Sequence, residues 1–203
     1  GLYAAGEVAA GPHGADRMGG NMLAACQVFG RRAGRHAAAR VKQTGLPKVD
    51  EGLIEKQKQQ IHNLEASSGD CALSDLTTAV QKLSWENMLL TRSTDNLSKV
   101  LEGVNQVRKE MMPRLCVSSP RELVMAFELQ NLLQVAEIMA RASLLREESR
   151  GGHYREDFPY RDDKKWLKAI SIKNVTGKME MNTIAIDPDW KDRTDDLSSQ
   201  RWG

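Results

Sequence analysis

Cysteine is scarce and unpaired in this chain. Cys26, Cys71 and Cys116 are odd in number, widely spaced, and form no C-x-x-C pair. That excludes a disulfide scaffold, a zinc site or an iron–sulfur cluster held by this chain, and it fits a reducing cytoplasm. No apolar run approaches the roughly 20 residues that a membrane-spanning helix needs, and no signal peptide is visible. Charge of one sign is lacking too. Lys and Arg number 29 against 27 Asp and Glu, a net +2, so nothing points to nucleic acid, which needs a clustered basic face. Arg31, Arg32, Arg35, His36 and Arg40 make a local basic run. It reads either as the solvated end of a helix whose cations suit the C-terminal dipole, or as a contact for an acidic partner. No strand is followed by a G-x-G-x-x-G dinucleotide fingerprint.

What is present suits a globular protein: 203 residues, 40% apolar and 28% charged, enough for one or two domains with a real core. Residues 1–40 read as a short apolar strand, Leu2 to Ala5, then a glycine-rich loop and an Ala-rich helix from about Met22 to Ala39. Gly30 within that helix predicts close packing. Residues 41–48, with Gly45 and Pro47, read as a linker. From 49 to 148 the period is helical. Leu53, Ile54, Ile61 and Leu64 mark one helix, and Leu73, Leu76, Val80, Leu83 and Leu90 a second. A third, capped by Ser93-Thr94, carries Leu97, Val100, Leu101, Val104, Val107 and Met111 and stops at Pro113. Ser119-Pro-Arg-Glu122 combines an N-cap, a first-turn proline and a capping-box glutamate. The helix it opens, to about Arg146, is apolar on several sides and is predicted to be the most buried member of an antiparallel bundle. In 149–203, Trp166–Ile172 and Lys178–Ile186 flank Asn174-Val-Thr-Gly177 as a hairpin. A polar tail with Trp190 and Trp202 follows.

Several residues carry chemistry in their own right. Glu7 directly follows the apolar stretch. A carboxylate at such a point in a nucleotide-binding fold accepts hydrogen bonds from ribose hydroxyls, while the plain alternative is a turn-capping glutamate. Asn21, Met22 and Leu23 open a helix, where free backbone amides and the dipole stabilise negative charge. Arg17 in the loop has the planar fork that pairs bidentately with a carboxylate; its alternative is bracing the loop. His13 lies in the same loop with no second ligand at metal-binding spacing. Arg150 and His153 enclose Gly151-Gly152, which allow the backbone to approach another surface closely. Arg161-Asp162-Asp163 reads as a salt-bridged turn.

Two blocks together resemble one family. Gly1-Leu-Tyr-Ala-Ala-Gly-Glu7, His13-Gly-Ala-Asp-Arg-Met-Gly19 and Asn21-Met-Leu23, and then Glu148-Ser-Arg-Gly-Gly-His-Tyr-Arg-Glu-Asp-Phe-Pro-Tyr-Arg-Asp-Asp163, are similar to the succinate dehydrogenase and fumarate reductase flavoproteins, with L-aspartate oxidase as a relative. The resemblance covers the C-terminal third of a typical member. It implies an α+β, mostly α fold: a partial FAD-binding strand-loop-helix in 1–40, a helical bundle in 49–148, and a docking segment with a β-hairpin in 149–203. It implies FAD as cofactor, with Glu7 on the ribose and the Asn21, Met22 and Leu23 amides at the flavin N1–C2=O edge. Arg17 would bind a dicarboxylate substrate, with His13, Asp16, Arg150 and His153 in supporting or docking roles. Partners would be the N-terminal FAD-binding and capping regions and an iron–sulfur subunit, which would place a cytoplasmic protein at the inner face of a membrane. The chain starts at Gly1 inside a motif and is expected to be a fragment or one half of a split protein, inactive alone, with no catalytic residue assignable. Asp16 stands where the family has Asn and Met22 where it has Ser, which leaves the substrate open. The alternatives are an L-aspartate oxidase-type enzyme and a non-catalytic helical interaction domain.

Overall fold

The computed structural model describes residues 1–9, 13–15, 19–45 and 48–186. Asp16, Arg17, Pro47 and the tail with Trp190 and Trp202 lie outside the described residues. The chain divides within one helix into two units, Gly1–Asn63 and Leu64–Gly203.

In the first unit the stretch Leu2–Ala5 is not a strand, correcting the expectation. A strand needs a neighbour for its ladder of hydrogen bonds, and the described residues of this unit include no strand to supply one. Tyr3 is held instead by helix α1 (Asn21–Thr44): its hydroxyl hydrogen-bonds His36 Nδ1 at 2.8 Å, with the two rings edge-on. A 3₁₀ turn, Glu7–Ala9, follows. Helix α1 runs past Ala39 because the residues of the expected linker, Val41 to Thr44, continue it until Gly45 at φ 60. Among the described residues Gly30 makes no packing contact, since a Cβ there would meet nothing within 4 Å. Helix α2 (Glu51–Glu65) starts where the period changes, on Asp50, whose carboxylate accepts from Leu53 N at 3.1 Å.

The second unit is built on α3 (Leu73–Met88), α4 (Thr94–Gln106) and α5 (Pro120–Leu145). Helices α3 and α4 are neighbours: Gly103 in α4 faces Leu83 in α3, and a Cβ at 103 would collide with Leu83 Cδ2. Leu76, Val80, Leu97, Val100, Val104, Leu129 and Leu133 are almost completely buried between them, each contributing about 1.5–3 kcal/mol by leaving water. Leu90 misses this core at 76% exposure, because α3 ends at Met88. The N-caps are the expected serines: Ser93 accepts from Asn96 N and Ser119 from Glu122 N. The capping box is displaced by one residue, since the Glu122 carboxylate accepts from the amide and hydroxyl of Ser118. Beyond α4 the chain passes through a π turn, Val107–Met111, and a 3₁₀ turn, Met112–Arg114, containing Pro113.

Helix α5 is less enclosed than expected. Ala126, Leu129, Leu133, Ala136 and Ala140 form one buried stripe, while Val124, Val135 and Met139 are 58%, 50% and 44% exposed. It is also long and apolar enough to cross a membrane, correcting the sequence reading. That apolarity is used by the buried stripe, and Glu137 on the same helix pairs with Arg108 and Arg141.

Two short sheets complete this unit. Strand β1 (Thr91–Arg92) pairs in parallel with β2 (Tyr154–Arg155), tying the connection between α3 and α4 to the segment after α5. Strands β3 (Lys168–Val175) and β4 (Lys178–Ala185) form the expected hairpin. Its loop is the two residues Thr176 and Gly177, both at positive φ as a type I′ turn requires. Trp166 is not in the first strand. It closes a helical turn, α6 (Asp163–Trp166), capped by Asp162 and buried. The architecture is α+β and mostly α.

Candidate functional site

In the first unit the chain is shaped around the start of α1. Gly6 has φ 81 and sits against the second turn of α1, where a Cβ would come within 2.8 Å of Cys26 Sγ. Only glycine meets both demands, and Glu7 follows it, exposed in its 3₁₀ turn. Gly20 at φ 86 turns the chain into α1 without any side-chain cap. Leu23 N donates back to Gly20 O at 3.0 Å. Among the described residues no side chain bonds the amides of Asn21 and Met22, an arrangement that can receive an anionic or electron-rich group. Asn21 and Leu23 are exposed and Met22 half-buried. His13 is half-buried, and its Nε2 is enclosed with no hydrogen-bond partner among the described residues. An enclosed ring nitrogen without a partner is costly unless a ligand or another segment supplies one. No group of three His, Cys, Asp or Glu side chains among the described residues could hold a metal.

The second cluster lies after α5. Glu148 is fully buried, yet it accepts from Arg146 Nη1 at 2.5 Å, from Arg150 Nε and Nη2 at 2.8 and 2.9 Å, and from Asp162 N at 2.9 Å. Burial alone would raise its pKa; these donors outweigh burial and hold the carboxyl below its ordinary range. Arg150 also reaches Asp163, which Arg161 and Arg150 together hold ionised. Arg155 is 1% exposed. Its guanidinium donates to both Asp157 oxygens, to Thr94 Oγ1 and to the carbonyls of Ser143, Leu144 and Arg146. Asp157 accepts in turn from the amide and hydroxyl of Thr94. The Arg155 hydrogen bond, followed by those from Thr94, pulls the Asp157 carboxyl far below the usual carboxylate range.

His153 bridges Arg92 and the end of α5. Its Nε2 lies 3.3 Å from Arg146 O, which can only accept, so Nε2 carries the proton and Nδ1 faces Arg92 Nη1. Burial, then the neighbouring guanidinium groups of Arg92, Arg146 and Arg155, lower its pKa and keep it neutral. The Glu148, Asp157 and Asp163 carboxylates each accept from two or more donors, which holds them ionised. Arg150 and His153, found through their glycine pair, hold backbone and carboxylates in position. Glu148, Arg155 and Asp157 lie in the same motif block, but no spacing or glycine pair marks them out. Their signal is the density of paired charge from Arg146 to Asp163, which reads as surface.

Residues 77–194, more than half of the chain, match the family described as fumarate reductase flavoprotein C-term. The chain belongs to that family of flavoprotein C-terminal regions. It is 37% identical over 85% of its length to an uncharacterized FAD-dependent oxidoreductase of Methanocaldococcus jannaschii, covering 31% of that protein. It is 36% identical over 90% of its length to a fumarate reductase (CoM/CoB) subunit of Methanothermobacter marburgensis, covering 33% of it. Among solved structures, an E. coli quinol fumarate reductase matches with TM-score 0.81 and 29% identity, over 92% of this chain and 34% of that one. The chain spans about a third of the length of the curated relatives it matches.

Proposed function

We propose that this chain forms the C-terminal part of an FAD-dependent flavoprotein that interconverts succinate and fumarate, or a closely related dicarboxylate. The observation that carries this reading is the start of α1, where Gly20 at φ 86 has no side chain to cap the first amides and no other described side chain does so. FAD supplies the hydride chemistry when bound. The residues present fit it: the helix start, to which no described side chain bonds, and the His13 Nε2, enclosed with no partner among the described residues, are features a bound cofactor or an adjoining segment would complete. The exposed apolar side chains Leu2, Val8 and Leu23 in this unit support completion by a further surface.

In this reading Glu7 accepts from the ribose hydroxyls, and the amides at Asn21 and Met22 stabilise negative charge on the flavin's N1–C2=O edge, while the Leu23 amide is already bonded to Gly20 O. Arg17 pairs with a substrate carboxylate. Asp16 adds negative potential beside Arg17, and Met22 brings bulk where the family has serine. Both changes favour an acid with less charge or more apolar surface than succinate. The paired charges around Glu148 and Arg155 fix the docking segment. An iron–sulfur partner exchanges the electrons, and that partner associates the flavoprotein with the inner face of a membrane. Residues 1–203 alone are expected to hold no flavin tightly and to show no turnover, because they contain no dinucleotide fingerprint.

The test uses the flavoprotein containing this chain together with its FAD-binding remainder. Arg17→Ala should lower kcat/KM for the dicarboxylate by roughly 30- to several-thousand-fold, corresponding to about 2–5 kcal/mol for a desolvated charge pair, with flavin content intact. Glu7→Ala should instead lower flavin occupancy. Equal flavin loss in both variants would sink the assigned roles, as would Arg17→Ala turning over succinate and fumarate normally.

A further inference from the structure

The second unit carries a groove of about 860 Å³ between α3 and α5. Trp85 and Met88 of α3, with Leu89 and Arg92 just beyond it, line one side at a spacing of three, four and seven residues. Leu132, Val135, Ala136 and Met139 of α5 line the other side at the same spacing. Each helix thus turns one row of side chains to the groove. The rows are apolar yet open: Trp85 is 70% exposed, and Leu89, Val135 and Met139 are exposed with it. A contiguous apolar face of this kind marks a place where another surface docks.

The groove holds charge of one sign. None of its lining side chains is acidic, while Lys82 and Arg92 both belong to it. Lys82 has Glu86 at 3.8 Å, an exposed pair that solvent screens. Arg92 is different. Its half-buried guanidinium donates to Met88 O, Leu89 O and Gly152 O at 2.8, 3.2 and 3.1 Å, and faces His153 Nδ1 at 3.5 Å. The nearby Arg146, Arg150 and Arg155 each hold a carboxylate. Among the described residues no carboxylate pairs with Arg92, and burial without a counter-charge lowers its pKa. A partly desolvated cation in this state favours an anionic group brought to it from outside.

We propose, on the reading that the chain is the C-terminal part of a longer flavoprotein, that this groove seats the N-terminal remainder of that protein, which enters it with an apolar ridge carrying a carboxylate opposite Arg92. The chain spans about a third of the length of its relatives, so the rest of the flavoprotein is the largest surface available to cover these rows. A small ligand suits the groove less well. Such ligands bury about 70–90% of their own surface, and walls as open as Trp85 and Val135 do not enclose one. A second copy suits it less well again, because a face-to-face contact sets the same patch against itself and would bring cations onto cations.

The test compares the 203-residue chain with the flavoprotein that contains it, each carrying Val135→Cys and treated with a maleimide, with labelling read peptide by peptide to separate Cys26, Cys71 and Cys116. The introduced thiol should react about ten-fold or more faster in the chain than in the flavoprotein, where it is reached only on local opening. Adding Arg92→Gln, which removes the charge and keeps an amide donor, should raise the rate in the flavoprotein and leave that of the chain unaltered. Trp85→Ser should lower the thermal midpoint of the flavoprotein and leave that of the chain unchanged, because Trp85 is exposed there. Equal labelling in the two proteins would overturn the proposal. So would protection in the chain that grows with its concentration, which assigns a second copy, or protection of the flavoprotein only after a separate subunit is added. Protection unaltered by Arg92→Gln would overturn the carboxylate. FAD content of the same flavoprotein separates the two readings: bound FAD with a reactive thiol overturns the docking site alone, and a protected thiol without FAD overturns the flavin reading alone.

Discussion

Replacing Arg155 by Met separates what burial contributes to an ion pair from what distance contributes. Methionine keeps much of the stem volume against the Phe158 ring, which the guanidinium overlies at 4.9 Å, and removes every donor. The loss falls on three groups at once: Asp157, Thr94 Oγ1, and the carbonyls of Ser143, Leu144 and Arg146 at the end of α5. Breaking a buried pair by removing one partner costs about 3–5 kcal/mol. Asp157 retains 30% side-chain exposure and can recover some water, so the lower end, about 3 kcal/mol, is the expected value. For a unit of this size that lowers the thermal midpoint by roughly 6–12 °C. The internal control is Arg114→Met. Arg114 holds Asp70 through two hydrogen bonds of 2.8 and 2.5 Å, as short as those of Arg155, but the two side chains are 58% and 69% exposed. That substitution should produce little measurable change, because solvent screens the pair and replaces it. Thermal and urea unfolding followed by circular dichroism give both numbers. Equal losses in the two variants, or a loss below about 1 kcal/mol for Arg155→Met, would refute the argument that burial sets the magnitude.

Two other outcomes are expected. The carboxyls of Glu148, Asp157 and Asp163 are all held below their ordinary range in the fold; their stabilisation is complete above the unfolded value near 4 and is lost as pH falls through the lower folded values. The thermal midpoint should therefore be level above about pH 5 and fall in acid, whereas Glu148→Gln starts lower and falls less steeply; an unchanged acid slope in that variant would contradict the assignment. Gly103→Ala should destabilise the parent chain, because its Cβ would collide with Leu83 Cδ2 and overpacking costs about 1–3 kcal/mol. In a Leu83→Ala background the same change should stabilise, by up to about 1 kcal/mol of helix propensity, and the same sign in both backgrounds would exclude the contact as the cause.

The parts of the fold that could be read from the sequence are those whose chemistry is local. Ser93 and Ser119 announce helix starts because the groups they satisfy lie two or three residues away, and Gly177 announces the hairpin because its own φ is the requirement. The apolar period located α3, α4 and α5 for the same reason. Leu2–Ala5 failed because a strand is a property of two segments, and its residues carry no information about a partner. Gly30 failed in the same way: a glycine in a helix has the same letter whether it faces a neighbour, as Gly103 does, or open space. Of the site, the glycine-shaped entry to α1 was visible as motif, whereas the unpartnered His13 Nε2 required three-dimensional enclosure to appear.

The charged block after α5 shows most clearly why composition misleads. Arg146, Glu148, Arg150, Arg155, Asp157 and Asp163 in so short a stretch read as solvated surface, yet Glu148 and Arg155 are among the most buried side chains of the chain. Their signs explain how burial is tolerated. Arg155 places its cation on the carbonyls that end α5, and Asp157 places its anion on the Thr94 amide that begins α4. Each charge thus meets the helix terminus of opposite polarity as well as its partner. An alkyl pair of equal volume could fill the same space but would leave both helix ends unsatisfied. The ion pair is therefore a specification of how two helix ends meet, and burying it is the condition for that specification to hold.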